Sequence, residues 1–299
     1  MPSQGPSWDL YADLQLLLQY HFMQTALAAG TLVALLAGAA GYFVVLRGQS
    51  FAAHTLSQVG FPGAAAATLL HLSPVFGLMT FCVLSALGIG WAGREPDSGL
   101  RSESAAVGSV LALSLGLGLL FVALYAGSAQ GIYAILFGSI LGISVRDVLV
   151  TLVVAVLCLG GVAVLGRPLL FASVDAEVAE AHGIRVRVLG SVFLVLLAFA
   201  VAMTVQIVGT LLVFALLVAP AAAAMQLTAR PWPALALSML VSLLATWLGL
   251  AFAFFSGYPV GFFVTTLTFG VYVVARAVRL VVGGRDLHPS EGDRRVPAV

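Results

Sequence analysis

RPLLFASVDAEVAEAHGIRVRVLG, running from Arg167 to Gly190, is a charged island between apolar blocks. It holds Arg167, Asp175, Glu177, Glu180, His182, Arg185 and Arg187, in a chain of 299 residues of which only 8% are charged. The blocks on either side are long enough to cross a bilayer, which takes about 20 apolar residues. A bare membrane anchor has no use for such an island. A membrane domain driven by a soluble partner does, because the partner needs a surface to push on. Ser173 or Asp175 can cap a helix here, Asp175, Glu177 and Glu180 favour its N-terminal half, and Gly183 can end it in the left-handed conformation. Val174, Val178 and Ala181 recur at i, i+4 and i+7 as a narrow apolar stripe. The pattern predicts a short amphipathic helix beneath the membrane. The competing reading is a helical connector with no partner.

Hydrophobic residues make up 61% of the chain and its mean hydropathy is +1.10. An ion at mid-bilayer costs at least ~2.5–3.5 kcal/mol, so a polytopic chain keeps few of them. The class is an all-α integral membrane protein, a multi-pass helix bundle of the plasma (inner) membrane in contact with lipid. Its 32 glycines suit close helix approach. Cys82 and Cys158 fall inside apolar blocks without CxxC spacing and read as buried thiols. A net charge of +1 excludes a nucleic-acid surface. The start, MPSQGPSWDLYADLQ, is polar and acidic and lacks the basic region of a cleaved signal peptide, so the first span is expected to remain in the mature protein.

Measured against a span of about 20 residues, nine candidates emerge. They cover 22–46, 52–71, 74–92, 105–126, 147–166, 188–206, 208–227, 232–255 and 260–282. Gly and Pro mark the gaps, as at Ser73-Pro74 and Gly257 with Pro259. The segment after 126 is apolar but broken by glycines, and reads as a re-entrant or interfacial piece. With the N-terminus outside, twelve of the thirteen arginines fall in cytoplasmic segments and only Arg146 lies outside. That bias follows the positive-inside rule, and an even number of spans would flip the tail. The chain then divides into an extracytoplasmic segment at 1–21, a transmembrane domain at 22–282 with its cytoplasmic loop at 167–190, and a flexible cytoplasmic tail at 283–299.

Polar residues within spans mark candidate pathways. His54 and Gln58, four apart with Ser57 beside them, share one helical face. Gly60, Pro62 and Gly63 follow, a set expected to break or kink the helix where backbone carbonyls can line a cavity. Thr204 and Gln206 precede Gly209, which permits a break, and Pro220 kinks the next span. His54 reads either as a hydrogen-bonded interfacial histidine or as a metal contact on a permeation path. There is no HExxH, GxSxG or pair of membrane aspartates, so no catalytic residue is expected. The chain contains no lysine, hence no P-loop, and any ATP must be used on another subunit.

Four segments in order resemble the permease subunit of the zinc/manganese-type ABC importers across residues 20–282. They are GTLVALLAGAAGYFVVLRGQSFAAHTLSQVGFPGAAAA, LFGSILGIS at 136–144, SVDAEVAEAHGIRVRVLG, and VGTLLVFALLVAPAAAAMQLTARP. The resemblance implies a type II importer-like permease that pairs with a second copy around a central path. It implies two ATP-binding subunits docked through the short cytoplasmic helix at 173–183, and an external solute-binding protein that delivers the cation. A divalent metal is then the transported substrate, and no tightly bound cofactor is implied. The family's second span carries a pattern like DxLSH, whereas here His54 and Gln58 stand at the aspartate and histidine positions. An amide oxygen is a weaker ligand for manganese or zinc than the groups it replaces, which favours a transient polar path over a tight site.

Three other readings compete. A permease for a siderophore or cobalamin shares the late-span pattern but usually has one more span. A secondary transporter calls for acids at the bilayer midplane, and here every acid falls in a loop, at a terminus or at a span edge. An intramembrane enzyme lacks its constellation.

Overall fold

The computed structural model describes residues 19–92, 100–124, 138 and 142–283. Those residues form ten α-helices and no strand. They are α1 (His21–Leu46), α2 (Ser50–Leu69), α3 (Pro74–Ala92), α4 (Leu100–Leu124), α5 (Val145–Val174), α6 (Ala176–Ala181), α7 (Val186–Val208), α8 (Thr210–Leu227), α9 (Pro231–Ser256) and α10 (Val260–Gly283). Seven of these are long and apolar enough to cross a membrane, α2 and α8 being the long helices outside that set. Both exceptions are largely buried against other helices, and a span shielded from lipid needs less hydropathy than one facing it.

The hub is α1, which packs against α5, α7, α8 and α9. Its Gly38 lies against the backbone of Ser238 and Met239 in α9, and its Gly41 lies against the carbonyl of Leu217 in α8. Without Cβ atoms at these two points the helix backbones touch, and Ser238 Oγ donates to the Gly38 carbonyl at 2.8 Å. Such small-residue contacts replace the hydrophobic drive that lipid removes.

The proline-glycine cluster in α2 does not break it. Gly60, Pro62 and Gly63 all lie inside one continuous helix. Gly63 meets Gly77 of α3 backbone to backbone, and Gly60 admits Leu78 and Val205 side chains, so these glycines serve close packing rather than a break. Pro220 is also internal to α8. Its missing N–H releases the Leu216 carbonyl, and Ser242 Oγ of α9 supplies the lost donor at 3.4 Å. Only Gly209 of the expected break points interrupts the chain, at φ +92°, between α7 and α8.

The charged island begins within a helix. α5 is 30 residues long and continues past Arg167 and through Pro168. Ser173 is therefore interior to α5, where its hydroxyl bonds the Leu169 carbonyl, and is not a cap. Asp175 caps α6, its Oδ1 accepting from the Val178 N–H at 3.0 Å. Gly183 follows at φ +85°. The Val174, Val178 and Ala181 stripe does not face the bundle: all three are exposed, and Ala179 is the buried residue of α6. A helix of 6 residues is too short for a sustained stripe, so its one inward position decides the seating. The segments 1–18 and 284–299 lie outside the described residues, as does most of the re-entrant candidate after 126.

Candidate functional site: an internal polar track

On α2, the edge of the His54 ring meets Phe214 of α8, with centroids 5.1 Å apart and planes at 77°. Phe214 is one turn past the Gly209 break, so the imidazole lies within the bundle although α2 begins only four residues earlier. Its Nδ1 is buried and has no hydrogen-bond partner. Ser57, also buried, donates its hydroxyl to the His54 carbonyl at 2.7 Å. Thr55, 0% exposed, keeps a hydroxyl without a partner, and no spacing in the sequence singled it out. Gln58 is half-buried on the His54 face. Its backbone carbonyl is the one that Pro62, lacking an N–H, cannot bond.

Gly60, on the far side of α2 from Gln58, packs on Val205 of α7. Beside Val205, the buried Thr204 donates to the Ala200 carbonyl at 2.7 Å, so its hydroxyl proton is used within its own helix. Gln206 reaches outward instead. Its Nε2 donates to Asp147 Oδ1 at 3.1 Å, while its Oε1 is buried without a partner. Asp147 was passed over in the reading of the sequence as a span-edge acid. It is held by a capping box: Oδ2 accepts from the Ser144 N–H at 3.2 Å and from the Ser144 hydroxyl at 2.6 Å, and Ser144 Oγ accepts from the Asp147 N–H at 3.3 Å. Ser-x-x-Asp before an apolar run was the available signal for the cap, but the pairing with Gln206 has none.

His54, Thr55 and Gln58 lie on α2 and Gln206 lies near the end of α7, two helices that pack against each other. His54 Nδ1, Thr55 Oγ1 and Gln206 Oε1 are the buried side-chain polar atoms without partners among the described residues. Buried polar groups are nearly always bonded, so three unpartnered atoms on two packed helices are candidate contacts for a ligand, a water or an alternative state. No three His, Cys, Asp or Glu side chains converge as a metal cage among the described residues. A passing cation is served by such a track, and a trapped one is not.

At the opposite end, α6 sits beside a cleft of about 510 Å³ lined by Arg167, Phe171, Val174, Thr228 and Ala229 among others. His182 anchors α6, its Nδ1 lying 2.8 Å from the Val178 carbonyl and its ring 5.6 Å from that of Phe171. Glu177 and Glu180 are exposed.

The model of the ABC 3 transport family matches residues 19–279. The chain belongs to the ABC 3 transport family. It is 32% identical over 241 residues to the manganese transport system membrane protein MntC of Listeria innocua, covering 81% of this chain and 85% of that one. It is likewise 32% identical over 243 residues to the manganese import system permease protein ScaB of Streptococcus parasanguinis, covering 81% and 85%. The solved structure of PsaBC from Streptococcus pneumoniae in complex with Fab is similar at a TM-score of 0.78 and 28% identity, over 89% of this chain and 95% of that one. As an ABC 3 permease, the chain is a multi-pass plasma-membrane subunit of a transporter and not itself an enzyme.

Proposed function

We propose that this chain is the permease subunit of an importer for a divalent transition-metal cation, manganese before zinc. Three buried polar atoms without partners, two on α2 and one near the end of α7, carry this reading. Imidazole nitrogen, hydroxyl and amide oxygen are borderline-to-hard donors that suit such a cation in transit. The names of the manganese relatives point the same way. ATP would be hydrolysed on a separate subunit seated against α6, an external solute-binding protein would deliver the metal, and a second copy of the chain would complete the path.

Nine crossings with the N-terminus outside accord with which helix ends meet. At the end of α1, Arg47 lies 5.7 Å from the Phe193 ring near the start of α7. Arg279 near the end of α10 donates to Gln226 near the end of α8 at 2.6 Å. These arginine-bearing ends are assigned to the cytoplasm, where the positive-inside rule puts them. The Asp147–Gln206 pair then belongs to the outer side.

The test is uptake into proteoliposomes holding the permease with its ATPase subunit. Manganese entry that needs both ATP and the binding protein is expected, and entry of neither manganese nor zinc would overturn the reading. In the same assay His54→Ala is expected to cut uptake at limiting metal about tenfold, the loss of one contact worth ~1.4 kcal/mol. ATPase binding should be unchanged. Equal uptake would make His54 a packing residue against Phe214.

A further inference from the structure

Gly209 is the break between two buried helices, α7 and α8, and three observations converge on it. Gly209 adopts φ +92° and ψ 157°, a backbone conformation that only glycine takes without strain. The backbone of Gly138, itself at φ +77°, is packed directly on Val208 and Gly209, leaving no room for a Cβ. One turn before the hinge, Gln206 is tied by its amide N–H to Asp147 at the start of a different helix, α5.

The chemistry of that tie is asymmetric. Asp147 accepts on both oxygens, from Gln206 on Oδ1 and from Ser144 on Oδ2. A carboxylate that only accepts dictates which way the Gln206 amide faces, since turning it over would set oxygen against oxygen. Gln206 Oε1 is thereby held on the other side, buried and without a donor. A buried acceptor left unmade is costly, and that cost is removed when the site opens to water or to a hydrated cation. The end of α7 is therefore held to the start of α5 by a charge-assisted bond, next to a group that gains from opening.

We propose that Asp147 is a positioning residue of the external gate: through Gln206 it holds the α7–α8 hinge closed and orients the Gln206 carbonyl as the first acceptor met by an entering divalent cation. Asp147 does this from α5, so opening requires that the α5 start and the α7 end part company. The cation arrives where the α5 carboxylate has just been released, which lowers the electrostatic barrier to entry for a positive ion and raises it for an anion. This consequence for transport rests on the permease reading, whereas the mechanical claim does not.

The experiment compares Gln206→Met, Gln206→Glu, the double variant Asp147→Asn with Gln206→Glu, and Ser144→Ala. Methionine removes the bond at similar volume. Glutamate sets two carboxylates face to face. In the double variant the bond is rebuilt with donor and acceptor exchanged, because the asparagine amide keeps its oxygen for Ser144 and offers its N–H₂ to the glutamate. Ser144→Ala removes the cap and one bond to Asp147 Oδ2 while leaving the Gln206 partner in place. Hydrogen exchange is read on the purified chain over 205–212, without metal or nucleotide, beside thermal stability and the ATP hydrolysed per cation imported by the full complex.

Exchange over 205–212 is expected to quicken about tenfold in both single Gln206 variants, the ratio that follows from losing one hydrogen bond to a charged group. The rest of the chain should hold its exchange rates and thermal midpoint. ATP per cation should rise, and the double variant should return both readouts toward the parent. Parental exchange in Gln206→Met and Gln206→Glu, or acceleration spread over the whole bundle, would overturn the gate. Failure of the double variant to restore exchange would overturn the role of Asp147. If the parent imports no cation, the permease reading falls, and the exchange data still judge the hinge.

Discussion

Gly41→Ala is expected to abolish most of the folded protein, while Gly160→Ala leaves it intact. Both glycines are interior to long helices, so their intrinsic helix propensities would improve alike on gaining a methyl group. Their surroundings differ. A Cβ on Gly41 would overlap the Leu217 carbonyl of α8, whereas a Cβ on Gly160 meets nothing within 4 Å. Overpacking against a side chain that can yield costs ~1–3 kcal/mol. Here the obstacle is the backbone of a neighbouring helix whose own Leu216 carbonyl is already committed to Ser242 Oγ, so α8 cannot shift without loosening α9 as well. The same helix holds Gly38, where a Cβ would lie 2.6 Å from Met239 Cα. Gly38→Ala should follow Gly41→Ala in direction. The measurement is the yield of monodisperse protein after detergent extraction, together with its thermal midpoint. Equal yields for Gly41→Ala and Gly160→Ala would mean that α1 does not depend on backbone contact with α8.

This contrast also marks the limit of what the sequence disclosed. A count of glycines announces close helix approach but not which glycine meets which backbone, because the partner lies about 180 residues away for Gly41 and 14 away for Gly63. The seven long apolar helices were legible, since lipid enforces apolar runs of near-constant length. The interruption at Gly209 was legible as a permissive residue, while Pro62 and Pro220 looked like breaks and are not. A proline's lost hydrogen bond is tolerated when another helix can supply a donor, and Ser242 for Leu216 is invisible until the helices are assembled. His54, Gln58 and Gln206 stood out as polar residues in apolar surroundings. Asp147 did not, because at the edge of a span a carboxylate looks like an ordinary cap. It is one, and the bond to Gln206 is additional. The island was recognisable by charge, whereas the inward position of its short helix was not. Val174 closes α5 and only Val178 and Ala181 fall in α6, so the stripe defines no face of that helix, and only contact with its neighbours seats Ala179 inward.

Reversing the charge of α6 is expected to cut import and the stimulation of the ATPase together while the membrane domain stays folded. Glu177 and Glu180 are exposed, while Asp175 caps the helix and Ala179 and His182 hold it to the bundle. Substitutions at exposed positions that make no such contact usually change stability by no more than about 0.5 kcal/mol. Glu177→Arg adds a cation to the first turn, which the helix dipole disfavours by roughly 0.3–1 kcal/mol. Glu177→Gln with Glu180→Gln therefore serves as the control that removes the charges without opposing the dipole. In the Glu177→Arg, Glu180→Arg double variant, uptake should fall by more than about tenfold, since like charges set against a partner built for acidic residues cost several kcal/mol. Stimulation of the ATPase by the permease should fall with it, and thermal stability should stay near the parent. The neutral control should lie between. α6 is short and rigidly anchored, and it stands next to the roughly 510 Å³ cleft between α5 and the α8–α9 turn. A partner seated there can push on α5 directly, and α5 is the helix whose far end carries Asp147. Parental uptake and stimulation in the double variant would reduce α6 to a connector, and would leave α5 with no mechanical input at the end beside α6.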